Sequence, residues 1–329
     1  MLTHYGDFEW GFGKGLYNNP KRLDVLRFEF TVPSEFGTMR EETNRTAKAI
    51  QTDFQGEHIV LGLSGGYDSQ AIAIAMLEEK IPFQPVISLY HCQGKILNEE
   101  ELYTANTFCR QYNLDLSYHR VDLEKAIPKY REMAKNYYPM HWIRYMHLDL
   151  ALQYRSSTVV LGNGVPFPKL KSAHPLDTLM MLDLSGIAMQ TGLKLIDRFY
   201  QYRAEMYFAR LYHPYLQNFA KAAPAMQADY DELTANQPQR QAFLIERYVK
   251  PMLFADQYEE GELIHQRKLG GFEAYPDYFK TKAEFQSAQL KSQYGHELVI
   301  TKPQWDTVRR NPGRRALIDS FTNELRFTT

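Results

Sequence analysis

Cysteine is nearly absent from this chain: 2 in 329 residues, Cys92 and Cys109. That scarcity excludes a disulfide framework and a cysteine-built zinc site. No sign of charge dominates either, since the formal net charge is -1. The chain as a whole therefore exerts no electrostatic pull on nucleic acid or on an anionic membrane. Long apolar runs of bilayer-spanning length are missing. Met1-Leu2-Thr3-His4-Tyr5 does not open a signal peptide. A cytoplasmic location is expected, where the sequon Asn44-Arg45-Thr46 has no consequence. Internal repeats and low-complexity linkers are absent too. What is present is ordinary for a soluble globular protein, with 44% apolar and 23% charged residues. The length allows a substantial core in one large domain or two.

The most informative stretch is Ser64-Gly65-Gly66-Tyr67-Asp68-Ser69. An apolar run, His58-Ile59-Val60-Leu61-Gly62-Leu63, leads into it, and a helical pattern, Gln70 to Leu77, follows. A buried strand, a Gly-rich turn and a helix start present backbone N–H groups and the positive end of a helix dipole to an anion. Paired glycines let the backbone close around a phosphate where a Cβ would collide. Ser64 and Ser69 add hydroxyls, and Asp68 can orient the turn or hold magnesium. The stretch reads as a pyrophosphate cradle. It is not a Walker A loop, because no GK[ST] follows. Gly11-Phe12-Gly13-Lys14-Gly15 looks superficially similar, but Leu16 stands where Ser or Thr should be. That segment is expected to be a flexible turn with no strand leading in.

Residues 1–37 read as an aromatic, irregular segment with one strand, Val25 to Val32, closed by Pro33. A helix is predicted from Thr38 to Asp53, then the cradle strand and its helix. Further strands are expected at Pro85–Tyr90, Leu116–Val121 and Ser157–Leu161. Asn98 should cap a helix rich in early acids, Glu99, Glu100 and Glu101. A long helical stretch should run to about Gln153. Strands alternating with helices imply parallel βαβ units with right-handed crossovers. Residues 38–175 are thus expected to form a doubly wound α/β domain, with ligands at the carboxyl ends of its strands. Residues 176–329 read as a helical region completing the site, plus a mixed tail. Its aromatics, among them Phe199, Tyr200, Tyr202, Tyr207, Phe208, Tyr212 and Tyr215, suit helix-packing core. The basic cluster Arg309, Arg310, Arg314 and Arg315 reads as a solvated loop, with polyanion contact as the alternative.

The hexapeptide resembles the SGGxDS signature of the PP-loop ATP pyrophosphatases, which split ATP between the α and β phosphates. The resemblance implies an adenine nucleotide alpha-hydrolase-like fold, with ATP and Mg2+ as cofactors. It also implies that Ser88 and Leu89 hold adenine and ribose through backbone groups. Ala209 to Leu216, with Arg210 and Pro214, is similar to the R-x-PFLD segment of asparagine synthetases. Arg267-Lys268-Leu269-Gly270-Gly271-Phe272, followed by Pro276, is similar to that family's RxKxGF segment. There a lysine stabilises the departing pyrophosphate, a role that would fall to Lys268. A catalytic cysteine pair, found in some relatives, is the sharper reading of Cys92 and Cys109; buried structural thiols are the plainer one.

The resemblance spans roughly residues 38 to 285 and is specific at the first motif. It points to the synthetase domain of asparagine synthetase without its glutaminase domain, whose N-terminal cysteine nucleophile has no counterpart at Met1-Leu2. Nitrogen would then come from ammonia, a substrate amine or a separate amidotransferase subunit. After the fourth strand the family carries an acidic segment for metal and substrate. The corresponding stretch here, Leu161 to Pro168, keeps Gly162 and Gly164 but has no acid. Asp177 or Asp183 could substitute. The implied activity is AMP- and pyrophosphate-forming adenylation of a small substrate, a carboxylate first, for attack by ammonia or an amine, with asparagine disfavoured. The alternatives are a PP-loop enzyme modifying a nucleotide, nucleobase or RNA, and a degenerate nucleotide-binding or assembly module.

Overall fold

The computed structural model describes residues 2–5, 8–12, 24–27, 35–136, 145–162, 188, 191–203, 205–206, 209, 254 and 257–264. Near the start, β1 (Leu2–Tyr5), β2 (Phe8–Phe12) and β3 (Asp24–Arg27) form an antiparallel sheet in that order. The sequence suggested one strand in an irregular segment. Each strand is only 4 or 5 residues long, too short for alternation to stand out. Gly11 and Phe12, read as the start of a turn, are the last residues of β2.

The main sheet is built from β4 (Ile59–Gly62), β5 (Gln84–Cys92), β7 (Ser117–Asp122), β8 (Thr158–Leu161) and β9 (Lys194–Ile196), all paired in parallel. Their spatial order is β7-β5-β4-β8-β9. A two-residue strand, β6 (Lys95–Ile96), folds back antiparallel on the end of β5. The chain enters at the middle strand, builds outward to one edge, then returns to build the other. Helices α1 (Met39–Asp53), α2 (Tyr67–Glu78) and α3 (Glu99–Gln111) pack with Ile59, Leu61, Ile87, Leu89 and Val160 on one face. Helices α4 (Leu123–Asn136) and α5 (Tyr145–Gln153) cover Val60, Val86, Val121, Val159 and Leu161 on the other. Successive strand residues thus alternate between two cores, as a doubly wound sheet requires. The strand order reverses between β4 and β8, and sheets of this kind bind ligands beyond the carboxyl ends of the strands at such a reversal.

Thr38 caps α1 with a full capping box: its side chain accepts from Glu41 N–H while the Glu41 carboxylate accepts from Thr38 N–H. Residues Asp68 to Met76 of α2 are all buried, which marks it as the central helix of its layer. The second parallel pairing of β8, with β9, puts a short strand into the stretch after residue 176 that read as helical in character. Phe199, Tyr200 and Tyr202 are buried in the first core, as the packing reading of the aromatics required. No helix among the described residues is long and apolar enough to cross a membrane.

A charged group ties α4, α5 and β7 together. Asp149 Oδ1 is 2.7 Å from Lys129 Nζ, and Oδ2 is 3.4 Å from His119 Nε2. Burial would push the Asp149 carboxyl up, but His119 and Lys129 outweigh it and hold it down at about 2. A depressed folded-state value stabilises the protein above the unfolded-state value of about 3.9. That stability is lost as pH falls from there toward 2. Urea unfolding should show about 1–2 kcal/mol lost through this group between pH ~5 and ~2, a slope absent in Asp149→Asn.

Candidate active site

β4 delivers the loop to the middle of the sheet. Leu63 extends the ladder by one more bond, its N–H donating to Val86 O at 2.8 Å. Gly65 then takes φ +74°, and Gly66 occupies the N-cap position of α2 with φ -74° and ψ 154°. Gly66 as N-cap residue has no side chain with which to cap α2. Helix geometry leaves first-turn N–H groups without an intrahelical acceptor, so this start offers backbone donors and positive potential to an anion. Ser64 Oγ and Ser69 Oγ stand 3.5 Å apart across the loop, and Ser69 Oγ donates to Gly66 O at 2.9 Å.

Asp68 is buried in the first turn of α2, at 5% exposure, where the helix dipole favours a carboxylate. The Tyr200 hydroxyl donates to the Asp68 carbonyl at 2.6 Å and fixes the turn from the far side. Tyr67 is half-buried with its ring edge-on to Phe254, centroids 5.7 Å apart. Burial pushes its phenol up, so it remains a neutral donor. Gly162, at the end of β8, comes within contact of the same turn. A Cβ there would lie 3.0 Å from Ser69 N and 3.2 Å from Asp68 C. Ser64, Gly65, Gly66, Tyr67, Asp68, Ser69 and Gly162 therefore converge, drawn from the ends of the neighbouring strands β4 and β8.

Three expectations change. First, a Cβ on Gly65 would point at α3, 3.0 Å from Glu101 O and from Thr104 Cβ, so its lack of side chain serves packing. Second, Ser88 and Leu89 sit inside β5, which runs on to Cys92, and not at its end. On the edge facing β4 the Ser88 carbonyl accepts from Asn98 Nδ2 at 2.8 Å, and Tyr90 N–H donates to Asn98 Oδ1 at 3.1 Å. Third, Asn98 makes no side-chain cap to α3, because its carboxamide is spent on β5 and on Glu101. It stands in for a missing strand residue beyond the end of β4. Cys92 and Cys109 are buried and form no disulfide; burial pushes both thiols up, Cys109 to about 11, which disfavours thiolate chemistry. Gly164, Asp177, Asp183, Arg210 to Leu216, Arg267 to Pro276 (Lys268 included) and the Arg309–Arg315 cluster lie outside the described residues.

Sequence reasoning missed two contributors: Gln70 and Arg198. The fully buried Gln70 side chain donates to Gly65 O at 2.5 Å and to Ile264 O at 2.9 Å, and accepts from Ile264 N–H at 2.7 Å. It staples the segment around Ile264 to the cradle. A second staple is Arg40, whose guanidinium holds both Glu262 oxygens at 2.8 Å, the Gln257 carbonyl at 2.9 Å and Glu78. Gln70→Leu should cost about 2–4 kcal/mol, since it strands buried backbone groups at two places. Denaturant unfolding measures it, and a loss below 1 kcal/mol, roughly one ordinary hydrogen bond, contradicts the staple. A polar residue opening an otherwise apolar helix was the one signal for Gln70. Asp197 and Arg198 follow β9, with Arg198 bridging Gly162.

No protein-family model matches this sequence, and no curated protein matches it. Solved structures similar to it include the NH3-dependent NAD synthetase of Campylobacter jejuni, 18% identical over 68% of this chain and 96% of that one, with a TM-score of 0.29. A U34-tRNA thiolase from Methanococcus maripaludis is 11% identical over 88% and 81%, with a TM-score of 0.32. An NMN synthetase from Francisella tularensis is 11% identical over 84% and 94%, with a TM-score of 0.29. Likeness of this size carries no weight for function, which is therefore read from the geometry of the loop itself.

Proposed function

We propose that this chain is an ATP-dependent ligase that releases pyrophosphate and AMP while adenylating a small carboxylate for attack by ammonia or an amine. The observation that carries the reading is the glycine-opened start of α2, set at the strand-order reversal with the Ser64 and Ser69 hydroxyls 3.5 Å apart beside it. Ser64, Gly65, Gly66, Tyr67 and Ser69 would hold the β and γ phosphates through backbone N–H and hydroxyl groups. Asp68 would be the protein's ligand to magnesium. One buried carboxylate beside a phosphate site fits that ion, which takes its other ligands from phosphate and water. When bound, magnesium offsets the charge gathering on the leaving pyrophosphate.

Lys268 is assigned the companion role of neutralising that charge. Ile264, tied to Gln70 at both backbone groups, precedes it by four residues. Four residues of chain span at most about 14 Å, which bounds the distance of the lysine from Ile264. Gly162 and Gly164 would line the far side of the nucleotide. The chemistry nearest to this arrangement is that of the synthetase domain of asparagine synthetase, with the acceptor pocket less acidic and more apolar. Nitrogen would be supplied as ammonia, as an amine or by a separate amidotransferase subunit.

The test is release of pyrophosphate and AMP from MgATP against separate pools of carboxylic acids, nucleobases and amines, with ATP binding followed by calorimetry. Both products with a carboxylate pool support the ligase. Products with nucleobases alone move the chain to base modification. ATP bound without turnover in any pool favours a binding module, and no ATP binding overturns the phosphate site itself.

A further inference from the structure

Gln70 is a fully buried polar residue in α2, and its side chain is spent on backbone. Its Nε2 carries two protons, and both are used: one goes to Gly65 O at 2.5 Å, the other to Ile264 O at 2.9 Å. Its Oε1 accepts from Ile264 N–H at 2.7 Å. The backbone N–H of Gln70 donates to Gly66 O at 3.1 Å, and Ser69 Oγ reaches that same oxygen at 2.9 Å. The carbonyls of Gly65 and Gly66 are therefore both turned toward Gln70. In a planar trans peptide the N–H and C=O point opposite ways. The N–H groups of the same two peptide units, those of Gly66 and Tyr67, are thus turned away from it. Successive amides aimed in this way, the first following a residue at φ +74°, make a concave nest for an anion.

We propose that Gln70 is the positioning residue of the anion site, and that through it anion affinity depends on the docking of residues 257–264. The assignment rests on the phosphate-binding part of the ligase reading above. A peptide unit between two glycines has the most conformational freedom in the loop, so its direction has to be set from outside. Gln70 sets it by holding the Gly65 carbonyl, which aims Gly66 N–H the other way. The same carboxamide is held in turn by both backbone groups of Ile264. Neither the peptide nor the segment can shift without stranding a buried partner. Arg40, in α1, is the segment's other anchor: it bonds Gln257 O at 2.9 Å and both Glu262 oxygens at 2.8 Å, and its guanidinium lies 4.8 Å over the Tyr258 ring. Coupling of this kind is reciprocal. The docked segment raises affinity for the anion, and the bound anion holds the segment down.

The test uses inorganic pyrophosphate with magnesium as the probe. Calorimetry reads affinity, and glycine-selective 15N labelling follows the Gly66 amide, assigned through Gly66→Ala. In the wild type, pyrophosphate should move the Gly66 amide proton downfield, as a hydrogen bond to a charged oxygen does. It should also slow hydrogen exchange of the Ile264 amide about five-fold or more. Gln70→Met keeps the length and removes both donors. Its pyrophosphate affinity should fall about ten-fold or more, and its Gly66 proton should stay in place even at saturation. A merely structural loosening lowers affinity too, but the saturated Gly66 proton would still move in full. If Gln70→Met does not fold, Arg40→Gln decides together with the wild-type exchange. It loosens the segment from outside the loop and should weaken pyrophosphate binding about two- to five-fold. A full Gly66 shift or unaltered affinity in Gln70→Met overturns the assignment and leaves the phosphate site standing. So does unaltered affinity in Arg40→Gln, or an Ile264 amide indifferent to pyrophosphate. A wild-type protein that does not bind pyrophosphate overturns the phosphate site and takes this assignment with it.

Discussion

Asp68→Asn is expected to lower pyrophosphate and AMP formation by about a hundred-fold or more, with the melting temperature shifted by only a few degrees. The asymmetry follows from where the residue sits. Asp68 lies in the first turn of α2, and the bond that ties this turn to Tyr200 uses its backbone carbonyl, which the substitution keeps. A carboxylate at a helix start contributes about 0.3–1 kcal/mol to stability. In the proposed role of ligand to a cation between phosphates it would govern several kcal/mol of charge stabilisation in the transition state, and each 1.36 kcal/mol is about ten-fold in rate. The amide keeps the shape and removes the charge. Turnover and melting should therefore separate. Parallel losses would mean that Asp68 only holds the turn, and full turnover would remove it from the site.

The parts of this fold that could be read in advance share one property: their signals are local. The cradle needs only an apolar run, two glycines and an apolar helix in succession, and the structure has β4, the loop and α2 in that order. The strands β5, β7 and β8 fell within two residues of their expected bounds for the same reason. β9 has 3 residues and is the last strand of the sheet among the described residues, so Lys194-Leu195-Ile196 has no period to detect. What assembles the site around the cradle is non-local. Gln70 meets Ile264 across 194 positions, and Tyr200 meets Asp68 across 132. Such pairings are set by how helices and strands pack, which residue types alone do not encode. Asn98 shows the converse: the residue type was right for a cap, but a broken edge of β5 competed for the same carboxamide and won.

Gly65→Ala should be the costliest change of a single methyl group in the loop, at about 2–5 kcal/mol, and should abolish ATP binding with it. Two effects add. The residue holds φ +74°, where an L side chain costs about 1–2 kcal/mol. Its Cβ would also lie 3.0 Å from Glu101 O, 3.0 Å from Thr104 Cβ and 3.1 Å from Ala105 N. Two of those atoms are backbone of α3, which cannot rotate aside, and overpacking of this kind costs about 1–3 kcal/mol. Relief has to come from the loop, which moves away from α3 and carries the start of α2 out of line with Ser64. Gly56 is the control that separates the effects: it has φ +80° but nothing within 4 Å of an added Cβ. Gly56→Ala should cost about 1–2 kcal/mol and leave nucleotide affinity alone. The difference between the two variants measures how tightly α3 pins the cradle. Should Gly65→Ala bind ATP as the wild type does, the loop is not the phosphate site, because no anion could tolerate that displacement of its donors.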